Sequence, residues 1–586
     1  MKAATRAEFW RHAQKILRRR LRFAHWLGLS DQHTMLLWSA GAGVLAGLVA
    51  AGFLNALRGV QWIFTQRAGD IVAVAREMPL WQRVLTPVLG GLLAGLCLLL
   101  SRHFATGKRT ADYLEAISLG DGRLPLRLSL CKAVAALLSV GSGGSIGREG
   151  ALVQLAALGA SRMGVWAGLH APRLRLLVAA GTAGGVAAAY HAPIAGSLFV
   201  AEVVLGSLAM ESFGPLIVAA VAATLTARQL GEAAPLYPTQ ALGLVSWWEA
   251  APMAVLGILA GLVARLSVNW FTRCEGWFAR LPVMLPGRMA LGGLVVGLIS
   301  LQWPEVWGNG QSVIGAILEG NWFGLALLGV LVAKLAATGV TTGSGAVGGV
   351  LTPTLFLGAA LGGLMGQALH GWLPTGTANP AAYALVGMAA LLTAMTRAPL
   401  VSVVLVFELT LDYDLVVPAM LGAVCAHATA SGLHVESVYA ESLRRKEAGK
   451  PTLRPEELCI RNVVKEPPPA ISASATLAEV AERFLHTRRL HLAVVSSSGA
   501  LVGLVNLHDI KEYLTEIPLG RLVSAEELAH ATPLLTPDMS LHATFPAFAG
   551  FEGEHLPVVD DASSRRLVGS VAKFDLLLAL AGGSSK

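Results

Sequence analysis

A glycine-rich turn leads into an apolar helix at residues 147–150, which read Gly-Arg-Glu-Gly. The first turn of a helix leaves backbone N–H groups without a helical acceptor and carries about half a positive charge. Because glycine has no side chain, a ligand can approach that backbone closely. The motif therefore predicts a site for a small anion at Gly147, Arg148 and Gly150, bound through dipoles rather than through a buried full charge.

Glu149 is the acidic residue of this motif, and an acid in an apolar segment is costly and usually functional. Its carboxylate is stabilised by the same amides that would bind an anion, so we expect the two to compete for one site. Protonation would release the carboxylate, which makes Glu149 both a gate and a proton acceptor. The alternative is that Glu149 caps its helix and pairs with Arg148, whose own role is to attract anions or to neutralise nearby acids.

The apolar part of the chain contains an internal repeat. Residues 141–160 are similar to residues 343–362, and residues 191–205 are similar to residues 397–411, at offsets of 202 and 206. Two matches in one order at nearly one offset indicate a duplicated half. An odd number of spans in each half would invert the second copy, which is a known transporter design.

The repeat places a second glycine-led helix start opposite the first. It comprises Gly349, Val350 and Leu351, followed by Pro353, whose missing N–H suits a first helical turn. Two such starts that converge inside a bilayer would hold a partly dehydrated anion weakly enough to release it again.

The composition indicates that these motifs lie in a membrane. The 586 residues are 54% hydrophobic and 14% charged, whereas soluble domains are nearer 25% charged. The net charge of +8 would suit nucleic acid, but the densest basic run, Lys15–Arg22, precedes the first apolar segment. The positive-inside rule then places the N-terminus in the cytoplasm. We therefore expect a lipid bilayer, and no nucleic acid, as a partner.

Changes in residue character divide the chain. Residues 1–30 form a basic amphipathic lead, residues 31–440 carry closely spaced apolar segments, and residues 441–455 form a charged linker. Many apolar segments are shorter than the ~20 residues of a perpendicular span or are broken by Gly, Pro or a charge. This pattern predicts an all-α membrane bundle with broken half-helices, in two repeat halves at residues 31–230 and 245–440.

The tail after the linker is predicted to be a small soluble α/β region. HLAVV at 491–495 matches HLPVV at 555–559, and residues 501–510 match residues 567–576. Each copy suggests a β-α-β-β-α unit, and two such units would pack as a pair. The two units are assigned to residues 456–518 and 519–584.

Four segments, GSGGSIGREG, HAPIAGSLFVAE, GSGAVGGVLTPTLFLG and VESVYAESL, resemble the CLC family of chloride channels and chloride/proton antiporters. The resemblance covers about residues 35–445 in the right order, and the tail resembles a pair of CBS domains. It implies an inverted-repeat helical bundle, a homodimer with one pore per subunit, and chloride as the transported substrate.

The resemblance also implies roles for individual residues. Glu149 matches the gating glutamate of the family, and Gly349, Val350 and Leu351 match its second anion-coordinating helix start. Leu351 replaces a phenylalanine, a modest change because the backbone N–H does the coordinating. Tyr439 matches the tyrosine whose hydroxyl, a neutral donor, coordinates the central anion. The alternative for Tyr439 is an interfacial aromatic anchor.

The chain departs from the family at the position of the coordinating serine. Residues 107–112 read Gly-Lys-Arg-Thr-Ala-Asp where the family has a Gly-Ser-Gly-Ile-Pro-Glu segment. Either Lys108 replaces the serine, or the register shifts and Thr110 supplies the hydroxyl. A lysine would hold an anion as a full charge or would mark water at the mouth of the pore.

A second departure concerns proton transport. The position of the second, inward proton glutamate of the antiporters is Val203 here, and valine cannot carry a proton. We therefore predict a channel-like protein, with an antiporter that relays protons through water or another side chain as the alternative. The neighbouring Glu202 and its repeat equivalent Glu408 are predicted to be structural, with hydrogen bonds to helix ends.

The CBS resemblance suggests an adenine nucleotide between the two units. Asp509 and Asp575 match the aspartate that commonly holds the ribose, whereas Asn506 and Ala572 stand where a hydroxyl residue is usual. Nucleotide sensing and a structural role that stabilises a dimer therefore both remain open.

Other classes of protein fit the sequence less well. A cation transporter would need carboxylates in the middle of the membrane, and a membrane-embedded enzyme would show a catalytic motif such as HExxH, GxSxG or a P-loop. Five scattered cysteines show no metal-ligand spacing, so no metal is expected. Short loops and the lack of targeting signals favour a bacterial inner membrane, and chloride, nitrate and fluoride remain open as anions.

Overall fold

The computed structural model divides the chain into two units, Met1–Arg444 and Arg445–Lys586. The basic lead at 1–30 and the linker at 441–455 lie outside the described residues. The structure describes residues 31–101, 112–118, 120–206, 210–230, 236–237, 243, 245–439, 459–487, 491–507, 510, 523–549, 551, 555–561, 563–573 and 576.

The first unit is helical throughout its described part, as the apolar segments predict. Its helices are α1 Asp31–Thr65, α2 Ile71–Glu77, α3 Leu80–Ser101, α4 Tyr113–Ser118, α5 Leu126–Gly141, α6 Glu149–Trp166, α7 Ala171–Tyr190, α8 Pro193–Phe199, α9 Met210–Gln229, α10 Ala250–Arg280, α11 Leu285–Gln302, α12 Gln311–Leu318, α13 Gly324–Gly343, α14 Leu351–Trp372, α15 Pro380–Thr396, α16 Pro399–Thr410 and α17 Val416–Gly432. Helix α8 continues into a π-helical turn, Val200–Val204.

Six segments within the described residues are long and apolar enough to cross a membrane, which makes this a multi-pass integral membrane protein. They are His33–Thr65, Leu80–Ser101, Trp247–Arg280, Leu285–Gln302, Gly324–Gly343 and Tyr413–Gly432. Shorter apolar helices lie between them, including α8 with 7 residues and α16 with 12. Helices too short to span are tolerated where the surrounding protein satisfies their ends.

The internal repeat is visible in the packing. Helix α1 packs on α9 as α10 packs on α17, and α6 packs on α7 as α14 packs on α15. Helices that are equivalent in the two halves also meet each other, since α3 packs on α11 and α8 packs on α16. Reciprocal contacts of this kind are the mark of a two-fold relation, so the predicted duplication is confirmed.

Small residues allow the close helix packing. A Cβ on Gly362 of α14 would collide with the carbonyl of Tyr383 in α15, and one on Gly358 would lie 2.5 Å from the carbonyl of Gly387. Inside lipid the hydrophobic effect does not drive helices together, so they are stabilised by the van der Waals contacts that such close approach allows.

The second unit contains two similar β-hairpins, as the repeat in the tail predicts. Its elements are β1 Ala470–Ser472, α18 Leu477–His486, β2 His491–Val495, β3 Leu501–Asn506, α19 Phe545–Ala549, β4 His555–Val559 and β5 Leu567–Ala572. Strand β1 pairs parallel with β2, whereas β2–β3 and β4–β5 are antiparallel. Both hairpins shift register at the same point, between Val494 and Val495 and between Val558 and Val559.

Candidate anion-binding site

The two glycine-led helix starts meet directly. The N–H of Gly147 donates to the carbonyl of Gly349 over 2.7 Å, and the N–H of Gly349 donates back to the carbonyl of Gly147 over 2.8 Å. These residues are equivalent in the repeat, so the two-residue antiparallel bridge lies on the two-fold relation between the halves. The predicted convergence of residues 147–150 and 349–352 is therefore confirmed.

This bridge corrects one detail of the expected anion site. Because the N–H groups of Gly147 and Gly349 bind each other's carbonyls, they are not available to an anion. In α6 the first helical hydrogen bond is Leu152 N–H to the Arg148 carbonyl, and in α14 it is Thr354 N–H to the Val350 carbonyl. The amides that helix geometry leaves for a ligand are those just before these bonds. They lie at 149–151 and at 350–352, because Pro353 has no N–H.

The bridge has no room for any side chain larger than that of glycine. A Cβ on Gly147 would overlap the Glu149 carboxylate and lie 2.7 Å from the Gly349 carbonyl. A Cβ on Gly150 would lie 3.0 Å from the Gly349 nitrogen. Real Cβ contacts are rarely this short, so side chains at these positions would separate the helix starts.

Glu149 lies inside the site where the two starts meet, with 6% of its surface exposed. The hydroxyl of Thr352, in the first turn of α14, donates to its Oε1 atom. In the part of the chain that the structure describes, no donor side chain or amide is assigned to Oε2. The carboxylate therefore lies beside the first turn of α14 and beside both glycines of the bridge.

A tyrosine supports Thr352. The Tyr190 hydroxyl at the end of α7 lies 2.9 Å from the Thr352 hydroxyl oxygen. Tyr190 and Thr352 are 5% and 2% exposed, respectively. Sequence reasoning missed both residues, although Thr352 lies within the GGVLTP motif itself.

Two cavities approach Glu149 from different directions. The first, the Tyr439 cavity, has a volume of about 230 Å³ and is lined by Glu149, Tyr439, Asp112 and Lys132 among others. The second, the Arg148 cavity, has a volume of about 540 Å³ and is lined by cationic residues and backbone of several loops. A gap of about 10 Å³, lined by both Arg148 and Glu149, lies between them. That is close to the least space that one water needs, so Glu149 closes the path between the cavities.

Arg148 faces the larger cavity and does not pair with its neighbour. Its guanidinium donates to the Gln311 side chain over 3.1 Å, and the salt bridges found among the described residues do not include one to Glu149. Arg58 and Arg67 line the same cavity. With Asp70 as the acidic residue of the same lining, the three arginines leave the cavity a net positive charge, which raises the local concentration of anions.

Tyr439 lies on the side of Glu149 away from Arg148, since it lines the Tyr439 cavity and not the Arg148 cavity. Its ring packs edge-on against Phe199 at 5.4 Å between centroids, and both residues line the Tyr439 cavity. The predicted members of the site, Glu149, Gly150, Gly349, Val350, Leu351 and Tyr439, all line this cavity.

Glu202 of the first half caps helix α16 of the second half, and Glu408 of the second half caps helix α8 of the first. The Glu408 carboxylate accepts from Ile194 N–H at 3.0 Å and Ala195 N–H at 2.7 Å, and the Glu202 carboxylate accepts from Leu400 N–H at 3.4 Å and Val401 N–H at 2.9 Å. The four amides belong to the first turns of α8 and α16. The predicted hydrogen bonds of both glutamates to neighbouring helix ends are thus confirmed.

Val203, the position of the absent inner glutamate, lies in the π-helical turn Val200–Val204. It is half-buried and packs against the apolar core. Four predicted site residues, Lys108, Thr110, Asp509 and Asp575, lie outside the described residues.

Comparison with known proteins agrees with this geometry. A family model described as voltage gated chloride channel matches residues 90–431. The chain belongs to this family. It is 44% identical over 415 residues to a ClcB-like chloride channel protein of Ralstonia nicotianae, across 70% of this chain and 97% of the relative. A CBS domain model matches residues 460–516.

Solved structures show the same CLC fold. A slow cyanobacterial Cl⁻/H⁺ antiporter is 25% identical and superposes with a TM-score of 0.64 over 72% of this chain and 99% of that one. A eukaryotic CLC transporter is 19% identical, with a TM-score of 0.65 over 93% of this chain and 99% of that one. The chain is therefore a CLC protein that transports chloride-type anions, with a CBS region after its membrane unit.

Proposed function

We propose that this CLC protein conducts chloride through a pore that Glu149 gates, in a channel-like manner without obligatory proton exchange. The observation that carries the proposal is the position of the Glu149 carboxylate, which lies where the two half-helix starts meet and fills the narrow gap between two cavities. An anion that passes from one cavity to the other has to take the place of this side chain.

The chloride site is formed by groups that carry partial rather than full charges. The donors are the free amides at 149–151 and 350–352, with the Tyr439 hydroxyl on the side of the Tyr439 cavity. Partial charges bind a dehydrated anion without trapping it, as conduction requires. Lys108 and Thr110 are the two candidates for a further group. Weaker chloride binding in Lys108→Ser assigns this role to Lys108, and weaker binding in Thr110→Val assigns it to Thr110.

Gating follows from competition for this site. The ionised Glu149 carboxylate and chloride use the same amides, so a high chloride concentration or protonation of Glu149 favours the open site. The flux of the channel should therefore rise as the pH falls.

The channel-like assignment rests on Val203. A proton that leaves Glu149 toward the Tyr439 cavity finds no ionisable group at this position, and the Ralstonia relative carries the name of a channel. The alternative is a chloride/proton antiporter, and one observation favours it: Asp112 lines the Tyr439 cavity together with Glu149, so a second acidic residue borders the same space, with one of its carboxylate oxygens accepting from the Leu114 N–H at 3.3 Å.

Flux measurements on reconstituted liposomes test these proposals. Chloride and proton movements are recorded together under a chloride gradient, for the natural protein and for Glu149→Gln. A channel gives chloride flux without uphill proton movement, and Glu149→Gln removes the pH dependence of that flux. Uphill proton pumping that Asp112→Asn abolishes would replace the channel by the antiporter.

A homodimer with one pore per subunit is part of the proposal. Equivalent residues Ile194 of α8 and Leu400 of α16 are 51% and 48% exposed. Val417 and Val424 of α17, the helix that packs on α16, are exposed as well. This apolar face combines both halves and would serve as the subunit interface. Cysteines introduced at Ile194 should crosslink between subunits, whereas cysteines introduced at the exposed Leu325 of α13 should not.

The proposed location is the inner membrane of a bacterium, with the N-terminus and the CBS pair in the cytoplasm, as the basic run at Lys15–Arg22 favours. Adenine nucleotide at the CBS pair and a purely structural role remain the two candidates for the tail. Calorimetry with ATP, ADP and AMP on the full chain and on Asp509→Ala distinguishes them. Nucleotide sensing predicts a heat of binding that Asp509→Ala removes, whereas a structural role predicts no heat of binding.

A further inference from the structure

The Glu149 carboxylate is held by a short chain of hydroxyl groups that runs from Tyr190 through Thr352. We propose that Thr352 and Tyr190 form an anchor that holds the ionised Glu149 in the anion site and thereby sets the pH at which the pore opens. The inference rests on the proposed gating role of Glu149 and adds two positioning residues to it.

The direction of the hydrogen bonds follows from the chemistry of the groups. An ionised carboxylate only accepts hydrogen bonds, whereas a hydroxyl donates one. The Thr352 hydroxyl therefore donates its hydrogen bond to Glu149, and its oxygen accepts a hydrogen bond from the Tyr190 hydroxyl. The chain of donors serves the ionised form of Glu149, and a polarised chain donates more strongly than a single hydroxyl.

Thr352 differs from other buried threonines of the bundle. Thr182, Thr354 and Thr393 each donate to the carbonyl four residues earlier in their own helix, all at 2.8 Å. Thr352 lies at the second residue of α14, and its hydroxyl instead reaches across to the other half of the protein. This contact joins residues 203 positions apart in the sequence, so it depends on the tertiary fold of the site.

Thr352 is the strongest hydrogen-bond donor to the Glu149 carboxylate. The Oε2 atom has no hydrogen-bond partner among the described residues, and the Glu149 amide and the Asn309 side chain interact with the carboxylate more weakly than Thr352 does. If Thr352 loses its hydroxyl, the ionised carboxylate therefore loses its strongest hydrogen bond. Protonation of Glu149, and hence opening, then occurs at higher pH.

The test measures chloride efflux from liposomes as a function of pH for Thr352→Val, Thr352→Ser and Tyr190→Phe. A hydrogen bond to a charged group typically changes a titration by about one pH unit or more. We expect the midpoint of acid activation to rise by about one unit in Thr352→Val, to rise less in Tyr190→Phe, and to stay at the natural value in Thr352→Ser, which keeps the hydroxyl.

Matched controls separate the anchor from general effects of the substitutions. Thr354→Val removes a buried hydroxyl from the same turn of α14, and Tyr383→Phe removes a buried phenol that donates to Glu249 over 2.8 Å. Neither should move the midpoint. An unchanged midpoint in Thr352→Val, or an equal shift in Thr354→Val, overturns the anchor. If Thr352→Val does not fold, the shift expected in Tyr190→Phe decides.

A double variant separates this inference from the proposed gate. In Glu149→Gln there is no carboxylate to hold, so adding Thr352→Val should leave the pH dependence unchanged. If Glu149→Gln itself keeps the natural pH dependence, the gating proposal fails. If Glu149→Gln abolishes the pH dependence but Thr352→Val does not shift it, the gate stands and the anchor fails.

Discussion

The two helix starts that meet at the candidate anion site occupy equivalent positions in the two halves but carry different side chains. Both are led by glycine, and both leave free amides in their first turn. The start of α6 carries the Glu149 carboxylate, whereas the start of α14 carries the neutral Thr352 hydroxyl that binds it. The two-fold relation thus brings the two starts together, and the side chains that differ between them supply the carboxylate of the proposed gate and the hydroxyl that binds it.

The glutamates at α8 and α16 show the opposite case. Glu202 and Glu408 occupy equivalent positions, and each caps the equivalent helix of the other half. Here the symmetry is kept, and the contacts are structural. The matching glutamates thus hold the halves together, whereas the pair that differs between the halves, Glu149 and Thr352, belongs to the proposed gate.

The largest effect is expected from breaking the bridge between the halves. In Gly147→Ala the new Cβ would lie 2.7 Å from the Gly349 carbonyl, so the helix starts must separate. Overpacking of this kind costs about 1–3 kcal/mol of stability, and the separated starts should bind chloride less well; a loss of about 1.4 kcal/mol in anion binding would lower the affinity about tenfold, and chloride flux should fall with it. Gly371→Ala near the end of α14, where a Cβ meets nothing within 4 Å, is the control. Natural flux in Gly147→Ala would show that the bridge is dispensable.

The next largest effect tests the difference between the two helix starts, namely the carboxylate at Glu149. Glu149→Gln leaves the shape of the site but removes the ionisable group, so the pH dependence of chloride flux in liposomes should disappear. At alkaline pH the variant should conduct more than the natural protein, because a neutral amide does not compete with chloride through charge. The matched change Glu305→Gln, at a buried acid that pairs with Arg76 over 2.7 Å, should leave the pH profile in place.

A third effect tests the preserved symmetry. Glu202→Gln and Glu408→Gln each weaken two hydrogen bonds to a helix start, so each should destabilise the protein by about 1–3 kcal/mol and by similar amounts. Thermal unfolding in detergent measures this, with Glu319→Gln at an exposed helix end as the control. A loss confined to one of the two variants would contradict the symmetric role.

The smallest effect concerns two lysines that are equivalent in the repeat. Lys132 of α5 lines the Tyr439 cavity, whereas Lys334 of α13 is fully buried and donates to the carbonyls of Val306 and Gly308 at 3.1 and 2.8 Å. Lys132→Met should lower chloride flux by about twofold at low salt and less at high salt, because screening removes the attraction. Lys334→Met should instead lower thermal stability. A flux that does not depend on salt would argue against a steering role for Lys132.

Much of the fold could be predicted from the sequence because both units contain internal repeats. The duplicated halves and the convergence at Gly147 and Gly349 follow from similar motifs at offsets of 202 and 206, and the two hairpins of the tail follow from the match of residues 491–495 with residues 555–559. Local patterns of this kind report backbone requirements, and backbone requirements are what glycine and proline encode.

The finer contacts of the site could not be predicted in this way. The Tyr190–Thr352–Glu149 chain joins three distant segments, and a threonine in an apolar helix ordinarily bonds to its own backbone. The same limit explains the correction at the bridge, since only the relative placement of the halves decides whether the N–H groups of Gly147 and Gly349 face an anion or each other. Asp112 was noted only as part of a motif, and its place beside the Tyr439 cavity became visible in the structure.

The bridge between Gly147 and Gly349 restricts how this protein moves. Many transporters built from repeats expose their substrate to alternate sides by rocking one repeat against the other. Here the halves are joined by two backbone hydrogen bonds at the candidate anion site itself, so a large hinge motion would break these bonds and separate the two helix starts. Opening is therefore expected to consist of the swing of one side chain within a nearly rigid frame, which suits rapid passage of an ion.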